Sequence, residues 1–140
     1  MQPNSVKMKP FKLLVLFVLA TCCLSGNLFA QDDKLYSYQE LDVKPQFQGG
    51  DLNSFTLWVH KNTTYPPIAR DNGVQGRVIV QFTVASDGSI KDVKAIRSVD
   101  VTLDKEAVRV VKSSPKWEPA TKDGVAVATR VNIPVLFRLQ

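Results

Sequence analysis

His60 is the only histidine in the chain's 140 residues, so any acid–base or metal chemistry would have to be built around it. General acid–base catalysis needs a second titrating group within hydrogen-bond reach, and a zinc site needs three or four N or S ligands. The sequence supplies neither. His60 follows Trp58 and Val59 at the end of a helical pattern, where it reads as a surface residue. Both cysteines, Cys22 and Cys23, lie in an apolar run near the N-terminus. Ser86 and Ser98 have no histidine at a spacing that would activate a hydroxyl. Asp87 and Asp92 could pair, but turn and surface roles account for both. No Gly-rich loop precedes a helix to cradle phosphate. The expectation is no catalytic residue, no metal and no cofactor.

The chemistry that remains is that of the backbone. From Val125 to Leu139 the odd positions are Val125, Val127, Thr129, Val131, Ile133, Val135, Phe137 and Leu139. The even positions are Ala126, Ala128, Arg130, Asn132, Pro134, Leu136 and Arg138. One face is almost wholly apolar and the other mostly is not, which predicts a long strand with one buried side. Pro134 has no N–H to give to a ladder, and that confines it to an edge or a bulge. The strand is therefore expected to keep one free edge. Pro134, Arg130 and Arg138 would equally serve to blunt such an edge against aggregation.

Such a strand needs a frame. Phe47-Gln48-Gly49-Gly50 reads as a turn, after which Asp51 or Asn53 can cap a helix. Leu52, Phe55, Trp58 and Val59 form its apolar stripe. Ile68 to Asp71 follows two prolines as a short helix, with Gly73 at its C′ position. Val78, Val80, Phe82 and Val84 alternate with Arg77, Gln81 and Thr83 as a strand, though Ile79 is also apolar. Ser86-Asp87-Gly88-Ser89 turns the chain into a second strand, Ile90 to Ser98. Asp100 or Thr102 caps another helix, with Leu103, Ala107, Val110 and Val111 inward, and Pro115 stops it. The order predicts an α+β domain of about 90 residues: a three-stranded antiparallel sheet with two helices packed on one face.

The N-terminus belongs to another class. Lys7, Lys9 and Lys12 precede an uncharged run from Leu13 to Leu24, and Leu28-Phe29-Ala30 supplies small-residue cleavage chemistry. This is the pattern of a secretory signal, with cleavage placed after Ala30. An uncleaved short membrane anchor is the rival reading, and Leu19-Ala20-Thr21-Cys22 offers a weaker lipoprotein match. Twelve apolar residues rise only about 18 Å as a helix, against a bilayer core of about 30 Å. Residues 31–46 then read as a polar linker or arm, in which Leu35, Tyr36, Tyr38 and Leu41 could pack locally, and residues 47–140 as the domain. The mature part would contain no cysteine. The leader holds three of the 18 basic residues and none of the 13 acids, so the net charge of +5 falls to +2 without it. No nucleic-acid partner is implied.

One combination of spacings is specific. Tyr65-Pro66-x-x-Ala69-x-x-x-Gly73-x-x-Gly76-x-Val78 is followed in order by Phe82, Asp87-Gly88, Leu103-Asp104 with Ala107, Trp117-x-Pro119, Gly124 and Phe137-Arg138-Leu139. This resembles the C-terminal domain of the TonB family of energy transducers, over Phe47 to Leu139. Phe47-x-Gly49-Gly50 is similar to the Bacteroidetes-type form, in which the gap is usually proline; here it is Gln48. Tyr65, Pro66, Ala69, Gly73, Gly76, Trp117 and Pro119 read as scaffold residues. Tyr65-Pro66 sets an extended entry to the short helix, Gly76 lets the backbone turn into the first strand, and Trp117-Glu118-Pro119 plugs the gap between the second helix and the sheet.

The resemblance implies function by contact in the periplasm. An extended segment of a TonB-dependent outer-membrane transporter, the TonB box, would add as a strand beside the last strand. The partner-binding candidates are then Arg130, Val131, Asn132, Ile133, Pro134, Val135, Leu136, Phe137 and Arg138. If the leader is retained as an anchor, inner-membrane proton-driven motor proteins are implied as well. The spacer is short for that role: sixteen residues extend at most about 55 Å. A detached interaction module of the envelope, without energy coupling, is the alternative. An open edge also permits a homodimer by strand exchange.

Overall fold

Alternation of Val78, Val80, Phe82 and Val84 with Arg77, Ile79, Gln81 and Thr83 forms β2 (Gly76–Val84); the four apolar side chains are fully buried, and Thr83 is buried too. The computed structural model describes residues 34–140; the leader, with Cys22, Cys23 and the boundary after Ala30, lies outside the described residues. Before β2 come β1 (Leu35–Tyr36), a 3-10 turn (Tyr38–Glu40), α1 (Leu52–Asn62) and α2 (Pro67–Asp71). After it come β3 (Ile90–Arg97), α3 (Val101–Lys112), β4 (Ala120–Lys122) and β5 (Val125–Phe137).

Both longer helices start where a side chain satisfies their first orphan N–H groups. The Asp51 carboxylate accepts from the Ser54 N–H at 3.1 Å, and Asp100 accepts from the Thr102 N–H at 2.9 Å. Phe55 and Val59 of α1, and Leu103, Ala107, Val110 and Val111 of α3, are buried. They cover one face of the sheet, where they meet Val131, Ile133, Val135 and Phe137 of β5. Burying each such side chain stabilises the fold by about 1.5–3 kcal/mol relative to exposure.

The sheet has five strands in place of the three expected. Their order is β1-β5-β2-β3, with β4 also paired to β5. β4 and β5 form a hairpin across Asp123 and Gly124, both with positive φ (52° and 77°), the geometry of a two-residue primed turn. β4 has three residues and β1 two, too few to show a period. The last strand ends at Phe137, two residues short of the expected Leu139.

The arm also departs from a plain linker. Val43 exchanges backbone hydrogen bonds with Thr121 at 3.0 and 3.2 Å, and Gln46 does so with Glu118 at 2.8 and 3.0 Å. Leu41 is buried. From Leu35 onward the arm is therefore packed along the β4–β5 hairpin. Next to it, Gln48 lies at φ 50° inside a tight turn closed by paired Phe47 and Gly50 backbone groups. Proline, locked near φ −65°, would not fit this turn, so the departure from the usual family residue has a geometric counterpart.

Candidate functional site

β5 runs beside β2 in unbroken register over nine residue pairs, from Thr129 opposite Val84 to Phe137 opposite Gly76. In an antiparallel pair, each residue points both backbone groups to the same side, and successive residues alternate. The Ala85 N–H donates to the Ser89 carbonyl across the β2–β3 turn at 2.8 Å. Odd residues of β2 therefore face β3, and even ones face β5. Through the register, Val131, Ile133, Val135 and Phe137 turn their backbone groups to β2. Arg130, Asn132, Pro134 and Leu136 turn theirs away from it. Pro134 thus lacks its N–H on the side where no β2 carbonyl waits for it, which removes the cost of a proline inside a sheet.

On that far side the arm occupies only the start of the edge. Leu35 pairs with Ala128 and Tyr36 with Thr129 in parallel register, and the Thr129 hydroxyl donates to the Tyr36 carbonyl at 2.9 Å. The Ser37 N–H bonds the Glu40 carboxylate at 2.8 Å and starts the 3-10 turn, which carries the chain off the strand. That bond is the first cause holding the Glu40 carboxyl below its ordinary value. Among the described residues no strand pairs with the far side of β5 from Arg130 onward. A groove of about 560 Å³ opens there, lined by Tyr36, Tyr38, Leu52, Arg130 and Asn132 among others. Burial pushes the Tyr38 phenol up, and Asp51 adds to it.

The other outer strand is different. β3 pairs with β2 through two irregularities, at Ile79/Val80 and between Gln81 and Thr83, and Asp92 sits at φ 54°. Bulges and charged side chains such as Lys91, Lys94 and Arg97 are the means by which sheets blunt an edge.

The scaffold candidates gather elsewhere. Trp117 lies in an aromatic cluster with Phe47, Phe55 and Phe82, at ring centroid distances of 4.8 to 5.8 Å; its indole N–H donates to the Ser114 hydroxyl at 3.0 Å. Pro119 follows the Glu118–Gln46 bridge. The Tyr65 ring meets Phe137 edge-on at 5.6 Å, and its hydroxyl donates to the Val74 carbonyl. Pro66 caps α2, Ala69 is buried within it and Gly73 follows it. Gly76 opens β2 at φ 158°, and a Cβ there would come within 2.8 Å of a Val99 methyl. Sequence reasoning missed the arm's hold on Ala128 and Thr129, because strand register is not written in local periodicity. His60 is exposed near the end of α1, and among the described residues no group of His, Cys, Asp or Glu could hold a metal ion.

The family model for the Gram-negative bacterial TonB protein C-terminal domain matches residues 61–139. The chain belongs to this family. It is 33% identical over 76 residues to the protein TonB of Pseudomonas aeruginosa, covering 54% of this chain and 22% of that one. With the protein TonB of Helicobacter pylori it shares 30% over 100 residues, covering 67% and 33%. With that of Vibrio cholerae it shares 36% over 77 residues, covering 54% and 31%. The chain thus spans a third or less of the length of these curated relatives. Among solved structures, the Pseudomonas aeruginosa TonB C-terminal domain is similar at a TM-score of 0.49 and 27% identity, covering 76% of this chain and 95% of that one. A Helicobacter pylori TonB C-terminal domain is similar at 0.48 and 26%, covering 62% and 91%. The family is not one of enzymes.

Proposed function

We propose that this domain works in the periplasm by holding an extended segment of a TonB-dependent outer-membrane transporter as an added strand along β5, from Arg130 to Arg138, in support of energy-dependent transport. The observation that carries the reading is the regular backbone of β5 with its far side open. Arg130, Asn132 and Leu136 each present an N–H and a C=O to that side, and Pro134 a C=O. Affinity would come from main-chain pairing and selectivity from the side chains that alternate along the added strand. Val131, Ile133, Val135 and Phe137 keep the strand fixed from below.

Proline at Asn132 or Leu136 is the direct test. Either removes an N–H from the open side while leaving the β2 ladder intact. With full-length protein and a TonB-box peptide, binding is expected to vanish while the circular dichroism spectrum and urea midpoint stay close to wild type. Proline at Ile133, whose N–H faces β2, is expected to unfold the sheet. Amide shifts that cluster on α1 and spare residues 130–138 would place the partner elsewhere and sink the proposal.

A second reading has one observation behind it. Residues 35–46 are engaged by the hairpin and so do not act as a free spacer, which favours an envelope interaction module without energy coupling. Engagement of an inner-membrane motor belongs to the first reading alone. A homodimer through the same edge would compete with peptide under either.

A further inference from the structure

The face of the sheet turned away from the helices is basic. Register and alternation put Arg77, Arg97, Lys91 and Lys94 of β2 and β3 on that face, with Arg130 and Arg138 of the final segment. Three of these cations converge at one end. Arg77 lies opposite Leu136 and Arg97 opposite Ile79, and Arg138 follows the last paired residue of β5. Together with Gln75, Ser98 and Leu136 they line an open groove of about 680 Å³. All three are exposed. Among the described residues no ion pair is seen for these three guanidinium groups.

Three uncompensated charges in one groove repel one another, and they raise the local positive potential. Arginine presents a planar fork of donors that matches a carboxylate with two parallel hydrogen bonds. The groove shares Leu136 and Arg138 with the end of the open β5 edge, so a strand added along that edge ends beside it. The middle of the edge, at Asn132 and Pro134, is uncharged.

We infer that Arg77, Arg97 and Arg138 form a binding site for carboxylate side chains that flank the strand-adding segment of the partner. The inference rests on the strand-addition reading and deepens it. The site takes acidic residues at one end of the segment, beyond the part that pairs with Asn132 and Pro134. It acts as an electrostatic clamp that selects the direction of the added strand and the partner's flanking sequence.

The test uses the full chain and three fluorescein-labelled, end-capped peptides of alternating Val and Thr: one neutral, one with a Glu pair at its N-terminal end and one with the pair at its C-terminal end. Anisotropy is expected to show a gain of about fivefold in affinity for only one of the two acidic peptides at low salt, shrinking as ionic strength rises. The Arg77→Gln/Arg97→Gln variant is expected to lose that gain and to keep its affinity for the neutral peptide. Equal binding of all three peptides overturns the inference while strand addition stands, as does a gain that survives in the variant. If no peptide shifts the Arg130, Asn132 and Leu136 amides, strand addition fails and the inference falls with it. Binding of phosphatidylglycerol vesicles that the variant loses, with no preference among the peptides, would assign the groove to a lipid surface and overturn it too.

Discussion

Gly88 lies at φ 88°, and a Cβ built on it would sit 2.1 Å from the Trp117 carbonyl oxygen. The Trp117 N–H donates to the Gly88 carbonyl at 2.8 Å. The β2–β3 turn and the segment after α3 therefore touch backbone to backbone, and this contact seats the indole among Phe47, Phe55 and Phe82. Gly88→Ala combines a left-handed backbone with a clash against a main-chain oxygen that has no free end to move. It is expected to cost about 2–4 kcal/mol, from strain and the displaced hydrogen bond together. Trp117→Ala is expected to cost about 3–5 kcal/mol as an aromatic truncation in a packed core. Urea midpoints measure both. If Gly88→Ala leaves the midpoint unchanged, the turn is not what holds Trp117.

At the scale of elements, the helices and the long strands were legible because each carries its own signal. Asp51 and Asp100 stand at the cap positions of stripes that end at Val59 and Val111. The alternation of β2 and of β5 runs long enough to give a period of two. Pro134 pointed, from sequence alone, to an unpaired edge; β4 and β1 pair with Val125 to Thr129, and among the described residues no strand pairs there from Arg130 onward. What stayed illegible was pairing. Two residues of β1 and three of β4 carry no periodicity, and nothing local says that Tyr36 should meet Thr129. Element ties of this long-range kind also set the acid response. Glu106 of α3 accepts from Arg109 at 2.6 and 2.8 Å and from the Thr64 N–H, beyond α1, at 2.7 Å. The Arg109 bonds, foremost, and the Thr64 N–H hold its carboxyl below the ordinary value of 4.5. A depressed folded value means the stabilisation is complete above the unfolded value and is lost as pH falls through the folded one. Wild type is therefore expected to weaken on acidification below about pH 4.5, and Glu106→Gln to show a shallower loss over that window. Urea midpoints at neutral and acid pH check it; parallel slopes would remove Glu106 from the account.

At the scale of the molecule the question is where the cooperative unit begins. A domain starting at Phe47 would leave the β4–β5 hairpin with one flank unpaired: Thr121 would lose Val43, Glu118 would lose Gln46, and the Asp123 N–H would lose the Asp42 carboxylate at 2.7 Å. Leu41 would also lose its buried place, worth about 1.5–3 kcal/mol. Opening free energies in a folded chain range from near zero at fraying ends to the global value in the core. The bridges at Val43 and Gln46 sit beside buried Leu41 and Phe47, whereas β1 holds the edge by two residue pairs and one hydroxyl. Native-state hydrogen exchange on the full chain is therefore expected to divide the arm. The amides of Val43, Gln46 and Glu118 should exchange only with global unfolding, and their protection should follow the urea dependence of the core strand β2. The amides of β1 should open locally, with little denaturant dependence. Deleting residues 34–46 should lower the urea midpoint, because the folded unit would lose a bonded strip and not merely a tether. If Val43 and Gln46 instead exchange at the rate of a free peptide, the arm is a linker after all and the domain starts at Phe47. If β1 is as protected as β2, the arm is a permanent strand, and the edge open to a partner begins firmly at Arg130.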